Sequence, residues 1–321
     1  MQKNTIKPYV CVIGGLNIDL QGSSDSPLVF NDSNPGEIEM SAGGVGRNIA
    51  ENMARISIHS KILSYVGADA LGDFVINKTT TANVDTSLLI EHSTLPTSQY
   101  LSLLDDNNDM LVSISDMRII DEMTIQDINN WKDTLDHCNA IVIDTNIPVE
   151  VIEYIVEKYN HIPLFLDPVS FAKTSKVLHI IGKFHTIKPN KLEAELISGI
   201  SIKDDESMLD AAQKIFEKGC KQIFITLGKD GVFYYDGEEC GHYLHEGVNV
   251  KSANGAGDAF TAGVVYGFLN LNSIKETAKF ASAAAVIALQ SKNTISENLS
   301  EHNIKLLLNV GLIKNSIITI Y

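Results

Sequence analysis

Several groups of residues in this chain have the types and spacing to act on a small ligand. In GGLNID, Asn17 and Asp19 alternate along an extended segment, so both side chains fall on one face. A carboxylate beside an amide can grip a vicinal diol, the carboxylate accepting from both hydroxyls. An ordinary Asx turn would use the same two residues. In AGGVGRNIAEN (42–52), Gly43, Gly44 and Gly46 precede a helix that begins near Arg47, with Asn48 in its first turn. Glycines there let a ligand approach the backbone. The spacing is not GxGxxG after a buried strand, which discounts a dinucleotide site.

KPNKLEAE places Asn190 and Glu193 three apart, on one helix face. The pair suits a water-coated Mg²⁺ next to phosphates. A helix cap worth about 1 kcal/mol would look the same. ITLGKDG (225–231) runs a strand into a glycine turn, where the Thr226 hydroxyl and the bare backbone of Gly228 could lie against a nucleotide. The same stretch is a hairpin with GVFYY. Finally, NGAGDAFTAG (254–263) sets Gly255, Ala256 and Gly257 before Asp258, and Phe260, Val264 and Phe268 then repeat at helical spacing. Backbone amides at a helix start attract an anion. Asp258 would be a plain N-cap in one reading. In the other it meets an attacking hydroxyl and takes its proton, which explains an acid beside an anion site. A diol grip, a metal-facing acid, an amide cradle and a base together suggest phosphoryl transfer to a sugar hydroxyl. No GxxxxGK[ST] loop and no HRD or DFG set is present.

These residues need a frame. YVCVIGG (9–15), KILSYVG (61–67), AIVIDT (140–145), PLFLDP (163–168), HTIKPN (185–190) and KQIFITLG (221–228) read as short buried strands ending in turn residues. Helical patterns lie between them: NIAENMARI puts Ile49, Met53 and Ile56 on one face, and PVEVIEYIVEKY and DAAQKIFEKG are similar. Alternation of this kind predicts an α/β fold with a mostly parallel central sheet, helices on both faces, and ligands beyond the carboxyl ends of the strands. Two polar segments, 16–41 and 97–120, break the pattern and read as a small β-sheet lid, with DDNND as a hairpin turn. Near the end, IKLLLNVGLI predicts a helix and SIITIY a closing strand.

Bulk properties narrow the partners. The chain has 321 residues, 44% of them apolar, enough for a sizeable core. A formal charge of −15 argues against nucleic-acid binding, which needs clustered Lys and Arg. Cys11, Cys138, Cys220 and Cys240 form no CxxC pair and read as reduced thiols. The N-terminus lacks the apolar core of a signal peptide, and no apolar run is long enough to cross a membrane, so a cytoplasmic protein is expected.

AGGVGRNIAENMA and SANGAGDAFTAG resemble the amino- and carboxyl-terminal signatures of the PfkB, or ribokinase-like, family of sugar and nucleoside kinases, and NKLE (190–193) resembles its NxxE motif. The resemblance runs from about residue 9 to 292 and implies one kinase domain over 1–321, with a three-layer α/β/α ribokinase-like fold and a β lid. It implies Asp258 as catalytic base and Gly255, Ala256 and Gly257 as the anion hole. It further implies Asn190 and Glu193 for phosphate and Mg²⁺, Thr226 and Gly228 for nucleotide contacts, and Asn17, Asp19, Gly43, Gly44 and Asn48 for the sugar. SNPGEI (33–38), SDMRI (115–119), DTNIP (144–148) and LDPVS (166–170) are similar to pseudouridine kinases within that family. The expected reaction is then transfer of the ATP γ-phosphoryl to the 5′-hydroxyl of a ribonucleoside, best matched by pseudouridine. Ribokinase, adenosine-kinase or fructokinase activity, or a non-catalytic nucleoside-binding regulator, are the alternatives. Family members often carry Asp-Thr before Gly-Ala-Gly-Asp to help hold a monovalent cation; here the residues are Ser252, Ala253 and Asn254, which puts potassium activation in question. Asn146 and Asp167 stand at strand ends where the base would lie, while Arg118 reads as a solvated surface arginine. The lid's exposed sheet edge invites pairing of two copies.

Overall fold

The computed structural model describes residues 8–105, 109–245 and 247–316. In chain order the strands begin with β1 (Tyr9–Ile13), β2 (Asn17–Ser24), β3 (Gly36–Gly43), β4 (His59–Leu63), β5 (Tyr65–Gly67), β6 (Ile90–His92), β7 (Gln99–Leu104) and β8 (Met110–Asp116). They continue with β9 (Ala140–Asp144), β10 (Leu164–Asp167), β11 (Thr186–Ile187), β12 (Gln222–Thr226), β13 (Val232–Tyr235), β14 (Cys240–His245) and β15 (Ile313–Ser316). The α-helices are α1 (Val45–Arg55), α2 (Ala70–Thr81), α3 (Ile125–Asn130), α4 (Lys132–Leu135), α5 (Val149–Lys158) and α6 (Phe171–Val177). After them come α7 (Lys191–Ser198), α8 (Asp205–Glu217), α9 (Ala256–Asn270), α10 (Ile274–Leu289) and α11 (Glu301–Val310).

β4, β1, β9, β10, β11 and β12 lie side by side and parallel, and β13, β14 and β15 continue the sheet antiparallel. Alternate residues of β1 enter different cores: Cys11 and Ile13 one, Val10 and Val12 the other. A strand covered on both faces loses its polar alternation, hence the unbroken run YVCVI. Val151 and Ile155 of α5 and Ala211 and Ile215 of α8 close over the first face; Ile49 and Met53 of α1, Val264 of α9 and Ala281 of α10 close over the second. The three-layer α/β/α arrangement is therefore the one the alternation predicts. No helix among the described residues is long and apolar enough to cross a membrane.

A separate four-stranded sheet, ordered β3-β2-β7-β8, comes from the two polar segments. Its strands begin at Asn17 and end at Asp116, inside the outer bounds of the two segments, while β3 runs two residues past the first segment's end, to Gly43. Leu16, Ile119 and Ile120 are buried in the main cores instead, and Ile120 opens a short 3₁₀ turn. DDNND lies between β7 and β8, and Asp105 N donates to Asp109 O at 2.9 Å; the expected turn itself falls on residues 106–108, outside the described residues.

Four other readings change. KILSYVG is not one strand: β4 ends at Leu63, and β5 turns away to pair with β6. HTIKPN holds only the two strand residues of β11, because Asn190 already caps α7. IKLLLNVGLI is helical only to Val310, since Gly311 takes a left-handed φ of 79° as the cap. The closing strand consequently falls earlier, at Ile313–Ser316, and the remainder of SIITIY lies outside the described residues.

Candidate active site

β1 ends at Ile13 and the chain turns through Gly14 and Gly15 into β2. Asp144, at the end of β9, pins this turn by accepting from the Gly15 and Asn146 amides, both at 2.8 Å. Complete burial raises its carboxyl above the ordinary range, against these hydrogen bonds. Asn17 opens β2 and donates from Nδ2 to Asp19 Oδ1 at 2.6 Å, so the two side chains do share one face. Burial raises Asp19, while Asn17 and the nearby Arg47 pull it down. Gly43 pairs opposite Asn17, and a Cβ on it would stand 2.2 Å from the Asp19 carboxylate. Gly44 has a φ of 97°, and a Cβ there would meet Gly15 O at 2.5 Å. These two glycines answer to protein packing at least as much as to ligand approach.

α1 starts at Val45, immediately after Gly44, and carries Asn48 buried in its first turn. The Asn48 amide donates to Asp258 Oδ2 at 2.9 Å. Arg47, itself buried, fixes which end of that amide faces Asp258: its guanidinium donates to Asn48 Oδ1 (3.3 Å), to Ala42 O at the foot of β3 (3.2 Å), to Thr79 Oγ1 on α2 (3.3 Å) and to Glu51.

Asp258 is not the cap of α9. Gly255 occupies that position with φ 76°, where a Cβ would lie 1.8 Å from Thr294 O, and Asp258 is the third residue of the helix. Any side chain at the cap position would run into the Thr294 carbonyl, so glycine serves there. The Gly257 and Asp258 amides fall in the first turn, where backbone donors lack intrahelical acceptors. The Asp258 carboxyl is pushed up to about 8, first by burial and then by Asp167, with Asn48 and Lys188 opposing. Lys188 Nζ stands 3.3 Å from Asp167 Oδ2, and a Cβ on Gly257 would be 3.4 Å from it. Burial pulls this ammonium down, but Asp167, Glu193 and Asp258 outweigh it and leave it raised. Thr261, one turn along α9, donates to Asp167 at 2.9 Å.

Asn190 and Glu193 form a full capping box on α7: Glu193 N donates to Asn190 Oδ1 (3.0 Å) and Asn190 N to Glu193 Oε2 (2.8 Å). Capping does not exhaust the acid. Glu193 is buried, its carboxyl raised chiefly by that burial, and Oε1 accepts no hydrogen bond among the described residues. No cluster of three acidic, His or Cys groups suited to a metal exists among the described residues. One carboxylate with a spare oxygen fits an ion held mostly by water and phosphate oxygens, as Mg²⁺ prefers. A cavity of about 380 Å³ opens beside the box, lined by Asn190, Thr226, Gly228, Ile202, Met208 and His242 among others. A Cβ on Gly228 would meet nothing within 4 Å, so that backbone is open.

The expected residues thus gather in two linked places. Asn17, Asp19, Gly43, Gly44, Asn48 and Asp258 form one, joined where Asn48 N donates to Gly44 O at 2.8 Å. Asn190, Thr226 and Gly228 line the other, and Lys188 lies between Glu193 and Asp258. Sequence reasoning passed over Lys188, although it shares an alternation face with Asn190 in KPN. It also gave no part to Arg47. Arg118 is exposed and paired with Asp116, as expected of a surface arginine.

The sequence profile of pfkB family carbohydrate kinases matches residues 7–301. The chain belongs to that family. PfkB kinases are phosphotransferases that act on a hydroxyl group of a sugar or nucleoside with ATP as co-substrate. The chain is 36% identical to pseudouridine kinase of Escherichia coli K12, over 97% of this chain and 98% of that one. It is 29% identical to guanosine-inosine kinase of Exiguobacterium acetylicum, over 90% and 98%. A crystal structure from Clostridium perfringens superposes with a TM-score of 0.87 at 34% identity, covering 97% of this chain and 98% of the other. Arabidopsis thaliana ribokinase, solved with ribose and ATP, shares the fold at a TM-score of 0.81 and 20% identity, over 94% and 99%.

Proposed function

We propose that this PfkB kinase transfers the γ-phosphoryl of ATP to the 5′-hydroxyl of a ribonucleoside, with pseudouridine as the preferred acceptor. The observation that carries the chemistry is Asp258. It is a half-buried carboxyl on the first turn of α9, held by Asn48, with its pKa near the working range of a general base. The choice of acceptor rests on the likeness to pseudouridine kinase along almost the whole chain.

In this mechanism Asp258 takes the proton of the 5′-hydroxyl as its oxygen bonds to the γ-phosphorus and the bond to the ADP oxygen breaks. The amides of Gly255, Ala256 and Gly257, with the Lys188 ammonium beside them, offset charge growing on the phosphoryl oxygens. Asn17 and Asp19 hold the ribose diol, and Gly43, Gly44 and Asn48 shape the floor beneath it. Asn190, Thr226 and Gly228 take the nucleotide. Glu193 would hold Mg²⁺ through water, and the ion would supply charge neutralisation on the phosphates. The lid excludes water, the competing acceptor. The reading also has two copies pairing through the lid. One face of that sheet is exposed and apolar, with Ile38, Met40, Leu101, Leu103, Val112 and Ile114, while Asp19 lies on the other. A cytoplasmic enzyme with no nucleic-acid partner is consistent with its acidic charge.

An ATP-consumption panel of pseudouridine, uridine, guanosine, ribose and fructose tests the reading. Pseudouridine should give the highest kcat/KM. A free sugar ahead of every nucleoside would move the assignment to a ribokinase or fructokinase activity, and no turnover with any acceptor would point to a binding protein. A 2′,3′-dideoxy nucleoside should lose orders of magnitude in kcat/KM, because Asp19 would be left unpaired. Equal use of that analogue rules out the diol grip.

A further inference from the structure

A second polar cluster stands at the carboxyl ends of β9 and β10, beside the sugar residues and idle in the phosphoryl transfer. Asn146 follows β9; a Cβ on Gly15 would lie 2.8 Å from its Nδ2, and Gly15 O accepts from Arg47 N at 3.1 Å. Asn146 therefore abuts the same strip of backbone that carries Asn17 and supports Gly44. Lys173, in the first turn of α6, donates from Nζ to Asn146 Oδ1. No carboxylate forms an ion pair with Lys173 among the described residues; Asp144 and Asp121 act on it only at a distance.

The link between β10 and α6 is a strained one. Val169 has a φ of 64°, a conformation that a β-branched residue rarely adopts and that costs about 1–3 kcal/mol. Its N–H donates to Asp167 Oδ1 at 3.2 Å, and Thr145 Oγ1 donates to Pro168 O at 2.6 Å. This tight turn carries the chain from β10 directly into α6, whose Lys173 reaches Asn146. Burial pulls the Lys173 ammonium below its ordinary range, with Asp144 pulling the other way.

Counting donors and acceptors gives the pair a preference. An ammonium has three N–H groups and no acceptor, and one N–H goes to Asn146. The Asn146 oxygen is thereby occupied, and the amide's remaining groups are the two N–H of Nδ2, near Asp144. The unused polar groups of the pair are therefore donors. We propose that Asn146 and Lys173 read the base of the nucleoside, selecting one that turns carbonyl oxygens toward them over one that turns an exocyclic amine. This rests on the nucleoside-kinase reading above. A uracil ring, joined through carbon or nitrogen, offers two carbonyls. The amine of cytosine or adenine would face donors with a donor and leave the half-buried ammonium unmet, a costly outcome.

The test measures kcat/KM for pseudouridine, uridine, cytidine and free ribose with the unmodified enzyme, Lys173→Met and Lys173→Arg. The unmodified enzyme should prefer the uracil nucleosides to cytidine by roughly 10²-fold or more. Lys173→Met should lower that ratio at least about tenfold and Lys173→Arg should restore part of it, since a donor is returned. A ratio unchanged in Lys173→Met, or no discrimination by the unmodified enzyme, overturns the proposal. Should Lys173→Met not fold, the unmodified enzyme is given the C-riboside of benzene, which keeps the ring and loses both carbonyls; use equal to pseudouridine overturns the proposal, and a large loss supports it. Failure of the nucleoside reading is separable, because the unmodified enzyme would then turn over ribose and no nucleoside.

Discussion

Asp258, with its pKa raised to about 8, is mostly protonated at neutral pH, so the form able to accept a proton grows as pH rises. We expect kcat/KM to climb roughly tenfold per pH unit below about pH 8 and to level above it. A profile flat across this range would remove Asp258 as the base. Asp258→Asn should cut kcat by roughly 10²–10⁴-fold with little change in KM. The same residue predicts an opposite effect on stability. Its folded pKa is above the unfolded value, so the carboxyl favours the fold at acid pH and that contribution is lost as pH rises toward about 8. Asp258→Asn removes this dependence. The variant should therefore gain stability over the unmodified chain progressively from about pH 4 to pH 8, reaching roughly 1–3 kcal/mol. Denaturant titrations at several pH values measure the difference, and a gain that shrinks with rising pH contradicts the sign.

At the scale of elements, the cleft depends on how α1, α9 and the lid strands are tied together. Arg47 binds the foot of β3, α2 and the amide that meets Asp258 in one knot. Arg47→Met should destabilise by about 3 kcal/mol, moderated because Glu51 keeps Arg55 as a partner, and should lower kcat as Asn48 loses its hold. Two glycines make a paired comparison. Gly255→Ala meets Thr294 O at 1.8 Å as well as an unfavourable φ, whereas Gly228→Ala meets only the φ penalty, about 1–2 kcal/mol. Chemical denaturation should rank Gly255→Ala clearly the worse; equal losses would mean that the α9 turn gives way easily. Much of this architecture was legible in the sequence. Buried parallel strands such as YVCVI and AIVID lose alternation, and the glycines before α1 and α9 mark sharp turns, so both signals are local. Asn17 with Asp19 was readable because period two is a local property. What escaped was long-range. Lys188 meets Asp167 and α9 only after β10, β11 and α9 converge, and no spacing encodes that. The cap reading of Asp258 stayed open beside the base reading because the sequence shows its position but not the left-handed turn at Gly255. KILSYVG looked continuous because the bend at Ser64 is not written in apolarity.

At the scale of the molecule, the lid is two-faced. Its polar side carries Asp19, and its apolar side shows Ile38 and Ile114, 80% and 64% exposed, to solvent. Pairing of two copies over that side would remove the exposed patch. Light scattering should give twice the chain mass, and Ile38→Glu with Ile114→Glu should give the single chain; a monomer in the unmodified protein would leave the patch to some other role. One further result follows from where β2 begins. Asn17 is its first residue and Asp19 its third, and the strand then runs outward as the spine of the cover. If Asp19 grips the acceptor as proposed, the hook and the roof over the reaction are cut from a single ribbon, and a pull on one end would reach the other. On the proposed reading a vacant hook would give the roof no pull to shut, and wasteful splitting of ATP would be curbed at its source.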